Sequence, residues 1–170
     1  KVADRGATLI VGMGFAQADA VASVAPDYPD TKFVAVDVCW LDDPAGNIYQ
    51  ACYKEHEGSF LVGMIAAMAS KSGVVGFVGG MDIPLIRKFQ GGYDQGARYV
   101  NPDIRVIGNM TGTTVEAWNN PTKGAELAKA QIDKGADVVY QAAGGTGIGV
   151  LQAAADAGVL GIGVDSNQNW

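Results

Sequence analysis

Short runs of β-branched and other apolar residues alternate along this chain with longer segments of helical periodicity, and Gly, Asn, Asp or Pro marks each junction. The rhythm predicts strands over 8–12, 32–37, 47–53, 74–78, 104–108, 137–142 and 160–165. Between them it predicts helices over 16–25, 57–70, 84–100, 121–134 and 148–157. Pro84 and Pro121 suit first-turn positions and Asn120 suits an N-cap. Runs such as Leu9-Ile10-Val11 and Val138-Val139-Tyr140 are apolar at consecutive positions, so both faces of those strands would be buried. That is the signature of a parallel sheet covered by helices on each side, and the βαβ order then calls for right-handed crossovers. The expected class is α/β.

Composition narrows the function classes. The chain has 170 residues, 48% of them apolar and 18% charged, which suits a compact core rather than disorder. Its 12 Lys and Arg face 18 Asp and Glu, a formal charge of -6 that gives no electrostatic footprint for nucleic acid or an anionic membrane surface. The longest apolar run, 60–69, is about half of the ~20 residues a membrane-spanning helix needs. Lys1 to Gly6 shows no targeting signal, as a processed or truncated chain would also read. Cys39 and Cys52 are too few for a disulfide scaffold and lack zinc-ligand spacing, though neighbouring strands could bring them within bridging distance as one pair.

In open α/β sheets ligands sit beyond the carboxyl ends of the strands. Here those ends read Gly12-Met13-Gly14-Phe15, Asp37, Gly79-Gly80-Met81-Asp82, Gly144-Gly145-Thr146-Gly147 and Asp165-Ser166-Asn167-Gln168. The loop Gly144 to Gly149 follows a strand and opens a helix, the setting in which backbone N–H groups face an anion or polar ligand. It departs from the dinucleotide fingerprint, because Val150, or Gln152 in the alternative frame, stands where the third Gly or Ala belongs. A ligand loop of another kind and a structural tight turn both remain open. Asp37, Asp82 and Asp165 could transfer protons, bind a polar ligand or cap a helix. Capping fits Asp82, two residues before Pro84, whereas no helix follows Asp37 or Asp165 directly, which favours ligand contact there.

Trp118 lies in a polar loop, where an indole either displays a stacking face or packs beneath its own loop; Phe15 carries the same two readings. Phe89 and Tyr93, four apart in a helical segment, read as core. His56 is the chain's one histidine, with no Cys beside it, so metal ligation is not expected. No Gly-x-Ser-x-Gly elbow, Walker loop or His-Glu-x-x-His occurs, so no catalytic residue, metal or cofactor is assigned, and binding is expected over catalysis. Four strands precede Gly79 to Pro84 and a fresh αβ series follows. This predicts two parts, 1–80 and 81–170, with a hinge at 79–84.

The segments 78–89, 118–124, 142–147 and 163–168, in this order, resemble the basic membrane protein family, the purine-nucleoside-receptor-like substrate-binding lipoproteins of bacterial ABC transporters. The resemblance covers essentially the whole chain. It implies a periplasmic-binding-protein architecture of two Rossmann-like lobes clamping a purine nucleoside or nucleobase, with an ABC permease as partner. It also implies an interior portion of a longer protein whose lipid anchor, first ligand loop and a C-terminal ligand-contacting Lys lie outside this chain, and a periplasmic or cell-surface location. By motif match Trp118 resembles the aromatic that stacks on the base, Asp37 the acid that accepts from base N–H groups, and Asp165 the acid that receives the ribose hydroxyls. Gly144 and Gly145 resemble the close-approach backbone. The candidate ligand-binding set is therefore Gly14, Phe15, Asp37, Met81, Trp118, Gly144, Gly145, Thr146 and Asp165. Trp118 stands where relatives more often have Phe, and Asn120 where they often have Asp before the Pro. The alternative from a different class is a Rossmann-type NAD-dependent oxidoreductase.

Overall fold

A computed structural model describes residues 2–169 and divides the chain into two compact units, with the boundary between Lys54 and Glu55. Each is an α/β unit built on a parallel sheet.

In the first unit β1 (Leu9–Gly12), β2 (Lys32–Val36) and β3 (Ile48–Ala51) form a three-stranded sheet in that order. Helix α1 (Ala18–Val24) crosses from β1 to β2. Strand periodicity decides what is covered: Phe33 and Ala35 are buried with Ala18 and Val21 of the helix, and Ile10 and Ile48 pack on the same cluster. The residues between them, Leu9, Val11 and Tyr49, are exposed. Buried Asn47 anchors the start of β3, its side-chain amide donating to the Ala25, Tyr28 and Thr31 carbonyls at 3.0 Å each. Cys39 and Cys52 form a disulfide with their Cα atoms 5.7 Å apart, joining the segments that leave β2 and β3.

The second unit holds β4 (Val74–Met81), β5 (Arg105–Gly112), β6 (Val138–Ala142) and β7 (Leu160–Ile162) in the order β5-β4-β6-β7, all pairs parallel. The two central strands are almost wholly buried, as their unbroken apolar runs require. One face packs Phe77 and Tyr140 against α2 (Glu55–Ala69) and α3 (Pro84–Val100), through Ala66, Tyr93 and Ala97. The other packs Val78 and Val139 against α4 (Pro121–Ile132) and α5 (Gly147–Asp156), through Ala128, Val150 and Ala153. Pro84 and Pro121 open their helices, and Asn120 caps α4 by accepting from the Lys123 amide at 3.0 Å. Tyr93 is core and Phe89 packs against it, as their spacing predicts.

The compact units divide between Lys54 and Glu55, whereas 79–84 spans the end of β4 and the start of α3. Gly79 and Gly80 lie within β4, where Gly79 pairs with Met110 on one side and Ala142 on the other. A central strand bonded on both edges is the least hinge-like position in a sheet. The glycines serve packing: a Cβ on Gly80 would stand 2.4 Å from Cζ3 of Trp118. The Gly-Gly pair reads like a hinge in sequence because the indole that requires it is 38 positions away.

Candidate ligand-binding site

The carboxyl ends of the strands carry the candidate residues, and each unit builds its share locally. In the first unit Gly14 has φ 85°, a backbone that side chains other than hydrogen rarely tolerate, and it opens the short 3-10 turn Phe15–Gln17. This turn sets Phe15, half-buried, just beyond β1. At the end of β2 the Asp37 amide still donates to the Ala51 carbonyl at 3.0 Å, and the chain then turns with φ 60° at Asp37 itself.

The second unit repeats the device. Beyond β7, Ser166 N–H donates to the Val164 carbonyl at 2.7 Å, closing a three-residue turn with Asp165 at its centre and φ 64° there. Among the described residues, Asp37 and Asp165 are the only non-glycines with positive φ. Such backbone costs about 1–3 kcal/mol and persists where surrounding structure fixes it. Around Asp165 the fixing group is Gln168, whose Oε1 accepts from Val164 N–H at 2.7 Å and from the buried Gln141 side chain at 2.8 Å. Gln141 in turn accepts from Ala143 N–H at 3.0 Å, so one buried amide steadies both the Asp165 turn and the entry to the Gly144 loop.

Trp118 ends the 3-10 turn Val115–Trp118. Two hydroxyls pin that turn through the Ala117 carbonyl, Thr111 donating at 2.9 Å and Thr146 at 2.7 Å. The indole lies on Gly80 and beside Gly144, where a Cβ would be 3.5 Å from Cε3, and it packs against the cluster around Phe77 and Tyr140. It is half-buried, so the packing on Gly80 and the Phe77 cluster accounts for part of its surface.

Met81, half-buried, ends β4 and pairs with Gly112. Gly144, with φ 56°, and Gly145 lie against Trp118, a Cβ on Gly145 standing 3.2 Å from its carbonyl oxygen. Thr146 belongs to the supporting layer rather than to a ligand surface: it is fully buried, and its hydroxyl donates to Ala117 while accepting from Asn120 N–H at 2.7 Å. Asp82 does not cap α3. Its carboxylate takes two bonds from Arg87, both 2.6 Å, and this pairing holds the carboxyl below its ordinary range.

Met81, Trp118, Gly144, Gly145 and Asp165 thus stand at one end of the second sheet, with Gly14, Phe15 and Asp37 at the matching end of the first. Sequence reasoning missed Gln141 and Thr111, and placed Gln168 at a strand end without giving it a role. A usable signal was present for Gln141, the one amide inside the apolar run 138–142.

Residues 1–169 match a family model described as "ABC transporter substrate-binding protein PnrA-like". The chain belongs to this family. Relatives of the PnrA-like group include a Lactococcus lactis protein named ABC transporter nucleoside-binding protein BmpA, 37% identical, with 98% of this chain matched to 48% of that protein. Basic membrane protein A1 of Borrelia garinii is 33% identical over 98% of this chain and 49% of its own length. Among solved structures, an ABC transporter system solute-binding protein from Aeropyrum pernix superposes with a TM-score of 0.84 at 31% identity, covering 99% of this chain and 50% of that one. This chain therefore spans about half the length of the relatives it matches.

Proposed function

We propose that this chain supplies much of the binding site of an ABC uptake system's solute-binding protein, and that the solute is a purine nucleoside or nucleobase. The observation that carries the reading is the pair of acids, Asp37 and Asp165, each held in left-handed backbone just past a strand's carboxyl end. Strain of this kind concentrates at ligand sites, and short carboxylates there can accept from base N–H groups or from two vicinal hydroxyls. The half-buried indole of Trp118 adds a face suited to stacking on a planar base. The name of the Lactococcus relative points to the same ligand class.

The oxidoreductase reading is the weaker one. The later glycines of the Gly144 loop are filled by protein atoms: a Cβ on Gly147 would stand 2.0 Å from Gln141 Oε1, and one on Gly149 would stand 1.9 Å from the Pro121 carbonyl oxygen. They serve helix packing rather than approach to a pyrophosphate. A substrate-binding role needs no catalysis and calls for a permease as partner. The Cys39–Cys52 bridge suits an oxidising compartment outside the cytoplasm, and no helix among the described residues is long and apolar enough to cross a membrane. Attachment there through a lipid anchor beyond this chain completes the proposal.

The test is titration of the protein purified from its host with adenosine, guanosine, inosine, adenine and NAD, followed by calorimetry and tryptophan fluorescence. Saturable binding of a purine nucleoside or base is expected. Saturation by NAD alone overturns the reading.

A further inference from the structure

Trp118 is the indole that the motif pattern marks for ligand stacking, yet a second indole past a strand end is more exposed than it. Trp40 lies three residues beyond Asp37 and is 56% exposed. The loop around it is fixed on both sides. Val38 is fully buried. Cys39 is bonded to Cys52, immediately after β3. Leu41 is clamped by one side chain of β3, its N–H donating to Gln50 Oε1 at 2.8 Å and its carbonyl accepting from Gln50 Nε2 at 2.9 Å. Farther on, Asp43 accepts from Asn47 and Ile48 amides at 3.0 Å each. Between these ties position 40 turns a large apolar side chain to solvent.

The neighbouring strands are followed by exposed side chains too: Met13, just past β1, and Tyr53, two residues past β3. The three adjacent strands are thus each followed, within four residues of their carboxyl ends, by a large exposed side chain. A rigid aromatic costs little entropy to order against a ligand, so it contributes most of its contact area as affinity. An exposed tryptophan between two tied neighbours, three residues from a hydrogen-bonding acid, offers a face suited to a planar, polar-edged ring.

We propose that Trp40, held out at the carboxyl end of β2 by the Cys39–Cys52 bridge and the Gln50 clamp, is a stacking wall for the purine base, with Met13 and Tyr53 beside it. This assignment rests on the purine-binding reading above. It makes affinity dependent on the redox state of the bridge, both of whose cysteines are exposed to reductant.

The test uses the protein as its host makes it, with affinities for adenosine and adenine measured by calorimetry beside thermal unfolding. Trp40→Ala is expected to weaken both ligands by about tenfold or more, the scale of base stacking on an aromatic, without lowering the melting temperature. Trp40→Phe should restore most of that loss. Cys39→Ser with Cys52→Ser, or reduction of the bridge, should weaken both ligands by a smaller factor. Purine binding that is indifferent to Trp40→Ala overturns this assignment and leaves the purine reading standing, as does a loss matched by lowered stability and unrestored by Phe. Absence of any purine binding by the unaltered protein overturns both.

Discussion

An aspartate in left-handed backbone is a residue whose two duties can be separated by substitution. At Asp165 the side chain would serve the ligand while the backbone bears the strain, so glycine and alanine should part company. Asp165→Gly relieves the positive φ and Asp165→Ala retains it, and the glycine variant should be more stable by about 1 kcal/mol in denaturant unfolding. Both should weaken adenosine at least about tenfold while affecting adenine much less, because only the nucleoside carries the hydroxyls. Equal stability of the two variants would mean that the turn is not strained; equal loss for both ligands would remove Asp165 from ribose recognition. The sequence made Asp37 and Asp165 legible because each follows a β-branched run with no helix directly behind it. The backbone angle was not legible, since it is set by Gln168 and Gln141 for one acid and by the last ladder bond to Ala51 for the other. Asp82 shows the opposite outcome. Its spacing before Pro84 suited a cap, but Arg87, one turn into α3, offers two charged donors, which outcompete a single backbone amide.

At the scale of elements, strand and helix order was legible almost throughout, because every run carried its own period and its own punctuation. What periodicity does not encode is how closely two elements approach. α2 and α3 meet backbone to backbone: a Cβ on Gly63 would stand 2.1 Å from the Tyr93 carbonyl oxygen, and one on Gly96 would stand 1.9 Å from that of Phe60. Gly96→Ala must push the helices apart and should cost about 1–3 kcal/mol or more in denaturant unfolding. An unchanged midpoint would show that the two helices do not lock together in this way. The same reasoning bears on Trp118. Because its indole packs on Gly80 and on the Phe77 cluster, Trp118→Ala should lower stability by about 1–3 kcal/mol as well as weakening purine binding, a heavier cost than a loop position alone would suggest. Elements are also tied by charge. Partial burial disfavours ionisation of Asp137 at the head of β6, but hydrogen bonds from the Ser70 hydroxyl and from the Ser72 and Lys71 amides outweigh it and hold the carboxyl below its ordinary range. A depressed folded-state value means that the folded protein binds fewer protons than the unfolded chain. The stabilisation is therefore complete above the ordinary Asp value of about 3.9 and is lost as pH falls through the lowered one. Melting temperature should drop below about pH 4 less steeply in Asp137→Asn than in the unaltered chain.

For the molecule as a whole, the two units are unequally finished. The second covers both faces of its parallel sheet, with α2 and α3 on one and α4 and α5 on the other, as the unbroken apolar runs of β4 and β6 demand. The first covers one. Register places Val11, Val34 and Tyr49 in one row across the three strands of the first sheet. Val11 and Tyr49 are exposed in that row, and Leu9, two residues before Val11, shares its face. The neighbouring row Ile10, Phe33 and Ile48 belongs to the core. Parallel sheets are almost always covered on both faces, and exposed apolar patches of this kind mark surfaces that another element covers. The sequence carried half of this argument: Leu9-Ile10-Val11 read as buried on both faces, and the structure buries only one. If that face is bare when residues 1–170 are produced alone, the chain should bind the dye ANS and show concentration-dependent association. Leu9→Lys with Val11→Lys should abolish both while leaving the unfolding of the second unit unchanged. In the protein as its host makes it, the same pair of substitutions should instead destabilise, because lysines would then lie beneath whatever closes the face. Weak dye binding by the isolated chain, unaltered by the lysines, would mean that this face is finished as it stands.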